Sequence, residues 1–202
     1  PDTDTHFENY IEDGGYQTIH RNTILNHIIM NKHILKNCID VGSHIGFWSK
    51  DFTKLFNHTY AFEPIPQVRE CYEKNITKSN YTLYPYGLGR EEKKIKVLYD
   101  PKETGNTHAN DKGNVNVEIK TLDSFNLEDI DYIKIDAEGY EIEVVEGSKK
   151  LIEKYKPYIH IEAKKKVMLK QNINMTAIEE LFKSINYEQV LSVKSELLYA
   201  PK

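Results

Sequence analysis

Short apolar runs alternate with stripes of apolar residues at helical spacing along this chain. The runs predict strands at 37–41, 59–63, 81–86, 131–136 and 158–162. The stripes predict helices at 20–36, after Gly46, after Pro66 and from Tyr140, the last with a weak point at Gly147. Strands that alternate with helices are typical of an α/β fold with a parallel sheet.

Two parts of the chain depart from this alternation. Alternating apolar positions near 95–99 and 115–119 predict an inserted β-hairpin around a long polar loop, 101–114. A loop of that length is either a mobile flap beside a functional site or a plain surface loop. A capping box at 176–179 predicts a late helix, and two paired strands follow it. The sequence therefore predicts an α/β, Rossmann-like fold, with a mostly parallel seven-stranded sheet and a C-terminal antiparallel hairpin.

Composition narrows the class of protein. The 202 residues are most simply one domain, and the formal net charge of -4 argues against broad attraction to nucleic acid. Two cysteines, Cys38 and Cys71, are too few for a disulfide framework, so we expect a reducing, cytoplasmic location. We expect no membrane span, because no apolar run approaches the required length.

The first predicted strand ends in a glycine turn that is typical of a nucleotide-binding site. Asp40 and Gly42 close the strand, and Gly46 opens a helix, so the turn is expected to present bare backbone N–H groups to a ligand. The next strand ends in Glu63 and Pro64, and an acid there commonly accepts hydrogen bonds from a ribose. Because the glycine spacing differs from the dinucleotide fingerprint and an acid suits a cationic amino group, we expect S-adenosylmethionine as cofactor.

Other residues near the turn complete the expected cofactor site. Gly87 and Leu88 follow the third strand and are expected along the adenine. The glycines of segment 14–17 are a candidate cover over the methionine end of the cofactor, with an ordinary turn as the alternative. The expected cofactor-binding residues are Asp40, Gly42, Ser43, His44, Gly46, Phe47, Glu63, Pro64, Gly87, Leu88 and Asp136.

Six motifs together resemble the FkbM family of class I S-adenosylmethionine-dependent methyltransferases. They lie at 39–46, 61–64, 121–123, 133–141, 146–148 and 161–162, and the Lys-Ile-Asp-Ala-Glu-Gly-Tyr-Glu segment is the most specific. We expect a single domain, 1–202, with 1–36, which the motifs do not cover, as an N-terminal helical cover and 37–202 as the catalytic core. The resemblance implies a class I methyltransferase fold. It also implies O-methylation of a small-molecule acceptor, most often a sugar or glycan. Where the family commonly has Ala-Asn, this chain has Ser43-His44.

Acidic residues at strand ends are the candidate catalytic groups. Asp136, Glu138 and Glu162 are expected to converge, because the carboxyl ends of parallel strands meet at one edge of a sheet. A crowded set of acids either raises one pKa and creates a base or binds a cation, so a divalent metal, Mg or Mn, stays open. We favour Asp136 as the base or substrate-orienting residue, with the glutamates as supports. The alternative is that these acids cap helices or pair with Lys134 or Lys164.

Other polar residues carry weaker expectations. His108, in the long loop, is a further candidate base, with a solvated loop histidine as the alternative. His160 is expected to be packed within a strand rather than catalytic. The lysine run 164–166 is expected to be a solvated face. Three tyrosines are candidate walls of a sugar pocket: Tyr16, Tyr132 and Tyr140.

Alternative functions remain at this point. One is a nucleic-acid 2′-O-methyltransferase, because some such enzymes use a Lys-Asp-Lys-Glu set, and Lys134, Asp136, Lys164 and Glu162 loosely match it. The acidic net charge makes nucleic acid the less expected partner. A non-catalytic cofactor-binding protein and a nicotinamide dehydrogenase are weaker alternatives. The residues leave the acceptor and the oligomeric state open.

Overall fold

The computed structural model describes residues 17–32, 34–170 and 174–202. The strands in chain order are β1 (Asn37–Val41), β2 (His58–Phe62), β3 (Tyr81–Tyr84), β4 (Gly87–Leu88), β5 (Lys93–Leu98), β6 (His108–Ala109), β7 (Val115–Lys120), β8 (Ile130–Ile135), β9 (Tyr158–Glu162), β10 (Tyr187–Val193) and β11 (Glu196–Pro201). The helices are α1 (Thr18–Asn31), α2 (Ser49–Leu55), α3 (Pro66–Asn75), α4 (Glu141–Glu146), α5 (Lys149–Tyr155), α6 (Lys165–Lys170) and α7 (Met175–Ser184). Two short 3-10 helices lie at Thr104–Asn106 and Leu122–Phe125.

Seven of the strands form the main sheet, in the order β10-β11-β9-β8-β1-β2-β3. The pairs from β3 to β9 are all parallel, and β11 is antiparallel to both of its neighbours. The predicted parallel sheet with a C-terminal hairpin is therefore confirmed. The order in which the strands are added to the sheet reverses at β1, because β2 lies on one side of it and β8 on the other. In such sheets a crevice opens at the carboxyl ends of these strands.

The predicted inserted hairpin is part of a second, four-stranded sheet in the order β4-β7-β5-β6. β5 and β7 pair antiparallel, as expected. The long loop between them contains secondary structure of its own: the 3-10 helix Thr104–Asn106 and the short strand β6, which pairs with β5. The polar loop therefore has a defined path.

Helices cover both faces of the main sheet. Alternate residues of a strand point to opposite faces, so Ile39 of β1 joins a cluster with Val144 of α4, whereas Cys38 packs with Ile24 of α1 and Phe52 of α2. Such burial on both faces explains why the strands are nearly continuous apolar runs. Cys38 and Cys71 are both free thiols.

Several helix boundaries differ from the expectations. α1 ends at Asn31 rather than 36, and Ile29, expected on its buried face, is 43% exposed. The helix after Tyr140 does divide at the expected weak point, Gly147, where a side chain would overlap the carbonyl oxygen of Gly89. The cap of α7 is Asn174, whose side chain accepts from Ala177 N at 2.8 Å, so the capping box began two residues too late.

Within residues 17–32, 34–170 and 174–202, no helix combines the length and apolar character that a membrane-spanning helix needs.

Candidate active site

The glycine turn after β1 brings the ends of three strands together. Gly42 has a φ of 70°, and a side chain there would overlap the main-chain carbonyl of Asp136, so only glycine fits. The turn does not present bare N–H groups as expected. The N–H groups of Gly42 and Ser43 donate to the carbonyl of Phe62 (3.0 and 3.1 Å), and that of His44 donates to Glu63 (3.1 Å).

Glu63 lies buried at the end of β2. Its carboxylate accepts from the N–H groups of His44 and Ile65 (3.1 and 2.8 Å). Burial raises the pKa of Glu63 to about 7, although both N–H groups favour the ionised form. Arg69 donates to the carbonyls of Glu63 and Pro64, which fixes the turn into α3. Each carboxylate oxygen keeps one lone pair for a further donor.

Asp40 carries a buried acceptor without a partner. Its Oδ2 accepts from the Ser49 hydroxyl at 2.6 Å, but Oδ1 has no hydrogen-bond partner in the described part of the chain. Burial raises the pKa of Asp40, and the nearby Lys134 opposes that rise. The hydroxyl of Ser43 is likewise buried and unpartnered among the described residues. Both side chains line the same cavity, so a ligand with polar donors fits this wall.

Two lysines and three acids form a cluster at the ends of β8 and β9. Lys134 Nζ lies 3.4 Å from one oxygen of Asp136, and Lys164 Nζ lies 3.7 Å from the other. Lys164 also contacts Glu138 at 2.7 Å and Glu162 at 3.0 Å. The expected convergence of the acids is therefore present, and so is the alternative pairing with lysines. Lys164 itself contradicts the expectation of a solvated lysine face.

The pKa values of the acids in this cluster move in opposite directions. Burial raises the pKa of Asp136, but the ammonium groups of Lys134 and Lys164 outweigh it and hold that pKa well below its usual range. Burial and the Asp136 charge raise the pKa of Glu162 to about 9, and the same two causes raise that of Glu138. At neutral pH, Asp136 is therefore ionised while Glu162 holds a proton.

This cluster does not suit a divalent metal. Among the residues that the structure describes, no group of three or more His, Cys, Asp or Glu side chains is arranged to hold one. The carboxylate oxygens of the cluster already face Lys134 and Lys164. The open expectation of Mg or Mn gains no support from this donor set, and we derive no step through a metal.

The folded part of the long loop lies against the glycine turn. Thr104 is buried, and its hydroxyl lies 2.8 Å from Nε2 of His44. His108 Nδ1 lies 2.7 Å from the carbonyl oxygen of Asn106. Residues of both segments line the cavity. Sequence reasoning left open whether this loop is a flap beside the site or a plain surface loop, and did not indicate that His44 contacts it.

One cavity collects most of the expected site residues. Those at its wall are Asp40, Gly42, Ser43, His44, Phe47, Glu63, Pro64, Gly87, Leu88, His108, Asp136 and Glu138. Gly46 is not among them, because its α-carbon faces the side chains of Ile76 and Tyr72. Glu162 does not line it either, and contacts it only through Lys164. Of the proposed cover, 14–17, residues 14–16 lie outside the described residues. The side chain of Gln17 accepts from Trp48 Nε1 at 3.0 Å and donates to Glu162 at 3.4 Å.

The tyrosine and histidine expectations have mixed outcomes. Tyr140 lines the cavity, but Tyr132 is fully buried, so its expected place in a sugar pocket is wrong. Its hydroxyl lies 2.7 Å from Nδ1 of His160, and Nε2 of that ring lies 2.7 Å from Glu196. His160 is thus packed and paired, as expected of it.

Comparison with known proteins settles the family. A model of the Methyltransferase FkbM domain matches residues 40–188. The chain belongs to the FkbM methyltransferase family. The protein has the Rossmann-like class I methyltransferase fold, with the strand order given above. Methyltransferase 1 of Beauveria bassiana (strain ARSEF 2860) is 26% identical, over 54% of this chain and 57% of that protein.

Solved structures share the fold of this FkbM chain. The Methyltransferase FkbM from Methylobacillus flagellatus KT has a TM-score of 0.58 and 18% identity, over 82% of this chain and 43% of that one. The N-methyltransferase NodS from Bradyrhizobium japonicum WM9 scores 0.56 at 9% identity, over 92% and 97%. SMU.1697c from Streptococcus mutans, solved with SAH, scores 0.52 at 13% identity, over 87% and 94%. The chain thus spans about half the length of its first FkbM relatives.

Glu141, the last residue of the most specific FkbM motif, shapes the loop between β8 and α4. Its carboxylate accepts from the N–H groups of Ala137 and Gly139 (3.0 and 3.1 Å). Glu138 and Gly139 both have positive φ, 48° and 104°, and these bonds hold that unusual backbone. Sequence reasoning quoted Glu141 in the motif but assigned it no role. Its signal is an acid that follows a glycine at a helix start.

We expect this FkbM domain to be more stable near pH 6 than near pH 9. Burial raises the pKa of Glu63 and Glu141 to about 7 and, with Asp136, that of Glu162 to about 9. Raised carboxyl pKa values add stability that is complete below the unfolded value of about 4.3 and is lost as pH rises through the folded values. Asp136 acts in the opposite sense, but only below about pH 4. Thermal unfolding across this range is the measurement.

A variant separates this effect from general charge repulsion. Glu141→Gln removes one of the three titrations, so its melting temperature should vary less with pH than that of the wild type. A melting temperature that climbs from pH 6 to pH 9 contradicts the assignment of these pKa values.

Proposed function

We propose that this chain is an S-adenosylmethionine-dependent O-methyltransferase that acts on a hydroxyl of a sugar, glycan or related small molecule. One observation carries the proposal: the ionised Asp136 lies at the wall of the cavity that also contains Asp40 and Glu63. The cofactor, when bound, supplies an electrophilic methyl group. The side chains around it supply binding, orientation and proton acceptance.

The cofactor half of the cavity offers side-chain acceptors rather than backbone donors. The unpartnered oxygen of Asp40 and the hydroxyl of Ser43 suit the amino-acid end of the cofactor. Glu63 keeps lone pairs for a ribose diol. Gly87 and Leu88, which form β4, line the wall where the adenine is expected. This arrangement supports S-adenosylmethionine and offers no cradle of free N–H groups for a pyrophosphate.

The acceptor half orients a hydroxyl. Asp136 is ionised and accepts a hydrogen bond from the acceptor O–H, while Lys134 and Lys164 hold the two carboxylate oxygens in place. Because its pKa is low, its main contribution is alignment, which supplies a large share of the rate in in-line displacements. Glu138 lines the same wall and is held by Lys164.

The proposed acceptor of the proton is His108. A carbonyl oxygen only accepts, so the Nδ1 of His108, 2.7 Å from the Asn106 carbonyl, carries the hydrogen. In the neutral ring Nε2 then keeps its lone pair. His108 lines the cavity, so this nitrogen is our candidate general base for the acceptor hydroxyl.

The first test is calorimetric titration with S-adenosylhomocysteine at pH 8, where Glu63 is mostly ionised. We expect saturable 1:1 binding, and Glu63→Gln should weaken it by about 1–3 kcal/mol, the cost of a lost charged hydrogen bond. Glu70→Gln, an exposed glutamate on α3, is the matched control and should bind like the wild type. Binding of NAD in place of S-adenosylhomocysteine, or an unchanged affinity in Glu63→Gln, contradicts the cofactor site.

A second candidate function is 2′-O-methylation of RNA. The specific observation that favours it is the contact of Lys134, Asp136, Lys164 and Glu162 in one cluster, the set that the alternative requires. The net charge of -4 opposes it. Binding of a short RNA measured at several salt concentrations discriminates, because phosphate contacts give a steep loss of affinity with salt. Salt-independent or absent RNA binding leaves the small-molecule acceptor.

We also propose a reducing location such as the cytoplasm. Cys38 is buried and Cys71 partly buried, and both are free thiols. Free thiols persist where disulfides are kept reduced.

A further inference from the structure

His44 connects two separate parts of the site. Its main-chain N–H donates to the carboxylate of Glu63 at 3.1 Å, and its ring Nε2 lies 2.8 Å from the hydroxyl of Thr104. Its φ of 51° is in the left-handed region, which a non-glycine residue adopts only when its surroundings hold it there. His44 therefore occupies a strained position from which it contacts both the cofactor turn and the inserted sheet.

Thr104 begins a segment that covers the cavity, and we call residues 104–109 the cap segment. Within it, the Thr104 carbonyl accepts from the Thr107 hydroxyl at 2.9 Å. Its far end is strand β6, which pairs with β5. Five of its six residues line the cavity: Thr104, Gly105, Thr107, His108 and Ala109. The cap segment is thus tied to β5 at one end and to the glycine turn at the other.

We propose that His44 is a positioning residue, which latches the cap segment to the cofactor turn and so places His108 at the acceptor wall of the cavity. Only the assignment of this wall to the acceptor rests on the proposed function. The latch itself is a property of the protein without ligand. The latch gives a physical role to His44, which stands where the family commonly has asparagine.

The latch couples the two halves of the cavity. The residue that holds Glu63 through its main chain holds Thr104 through its ring, so a ligand on Glu63 that steadies His44 also steadies the cap segment. By linkage, closure of the cap segment must then raise affinity for that ligand by the same factor. We expect the cofactor analogue to bind first and the acceptor to enter a cap segment that is already ordered.

Hydrogen exchange on the protein without ligand tests the latch directly. Thr104→Val removes the hydroxyl at constant shape. The loss of one neutral hydrogen bond should speed exchange of the Asn106, Thr107 and Asn110 amides by about three- to tenfold. The matched control is Thr82→Val, because Thr82 makes the same contact with His58 at 2.9 Å, away from the cavity. Equal exchange of the cap segment in wild type and Thr104→Val overturns the proposal.

A second variant keeps the test valid if Thr104→Val folds poorly. His44→Asn should preserve the left-handed backbone and the N–H donated to Glu63, because asparagine tolerates that conformation, while it loses the ring. It should speed exchange of the cap segment as Thr104→Val does. The double variant should add nothing further, since both changes remove one contact. Additive effects of the two substitutions contradict a shared latch.

Ligand measurements separate failure of the latch from failure of the proposed function. S-adenosylhomocysteine should protect the cap segment from exchange in the wild type but about three- to tenfold less in Thr104→Val. In turnover, Thr104→Val should raise the KM for the acceptor and, because the coupling is reciprocal, should also weaken the binding of S-adenosylmethionine. If S-adenosylhomocysteine does not bind, the proposed function fails while the exchange result without ligand still decides the latch. If it binds but exchange is unchanged, the latch alone fails.

Discussion

Asp136→Asn should lower the rate of methyl transfer by about 10²-fold or more, the scale of the loss when a reacting hydroxyl is misaligned. The carboxylate is the ionised acceptor at the cavity wall, and both of its oxygens face an ammonium group. An asparagine of equal size turns one of these acceptors into a donor. Single-turnover transfer from S-adenosylmethionine to an accepted hydroxyl is the measurement.

The fold should survive this substitution. Without the charge of Asp136, the repulsion that helps to raise the pKa of Glu162 is gone, although burial, the larger cause, remains; the ionised form of Glu162 beside Lys164 is therefore less disfavoured. The matched control is Asp51→Asn, because Asp51 also lies between two cations, Arg21 at 2.7 Å and Lys54 at 2.8 Å, away from the cavity. Full turnover in Asp136→Asn, with Asp51→Asn equally active, contradicts the role of Asp136.

Gly42→Ala should destabilise the protein by more than about 3 kcal/mol and abolish cofactor binding. An added methyl group would overlap the carbonyl oxygen of Asp136, and the φ of 70° is strained for any residue with a side chain. The main chain of β1 and that of β8 must then separate, which opens the turn on which Glu63 and Asp40 depend. Denaturant unfolding and calorimetry with S-adenosylhomocysteine measure the two effects.

Gly87→Ala is the control for loss of a glycine. Its new methyl group would meet only the end of the Ile119 side chain, at 2.7 Å, and Gly87 has no positive φ. A side chain can turn away at a cost of about 1–3 kcal/mol, whereas a main-chain carbonyl cannot. Equal unfolding free energies for the two variants contradict the close approach of the strands.

The order of elements was predictable because burial imposes a period on each of them. Strands buried on both faces are mostly apolar along their length, as in β1 and β8, and helices show stripes such as that of α3. Boundaries were less predictable, since they depend on contacts with other elements. The weak point at Gly147 was predictable from the glycine itself, but the packing of Gly89 against it was not, because that contact joins residues far apart in the sequence.

The candidate site was predictable in its residue types and less so in its contacts. Asp136 and Glu138 were expected beside the cavity because strand ends meet there, and both line it. Lys164 was expected in solvent, since the side chains in a run of lysines are usually exposed. The short connection after β9 instead turns its side chain back onto three acids.

The sequence by itself determined the family, the alternation of elements and the acids at the strand ends, because each of these is a local pattern in residue type and spacing. Only the tertiary structure decided that the N–H groups of the glycine turn are used internally, that Glu162 keeps its proton beside Asp136, and that His44 contacts Thr104. These outcomes depend on distances between segments and on how far water is excluded. Neither quantity is a property of any single stretch of chain.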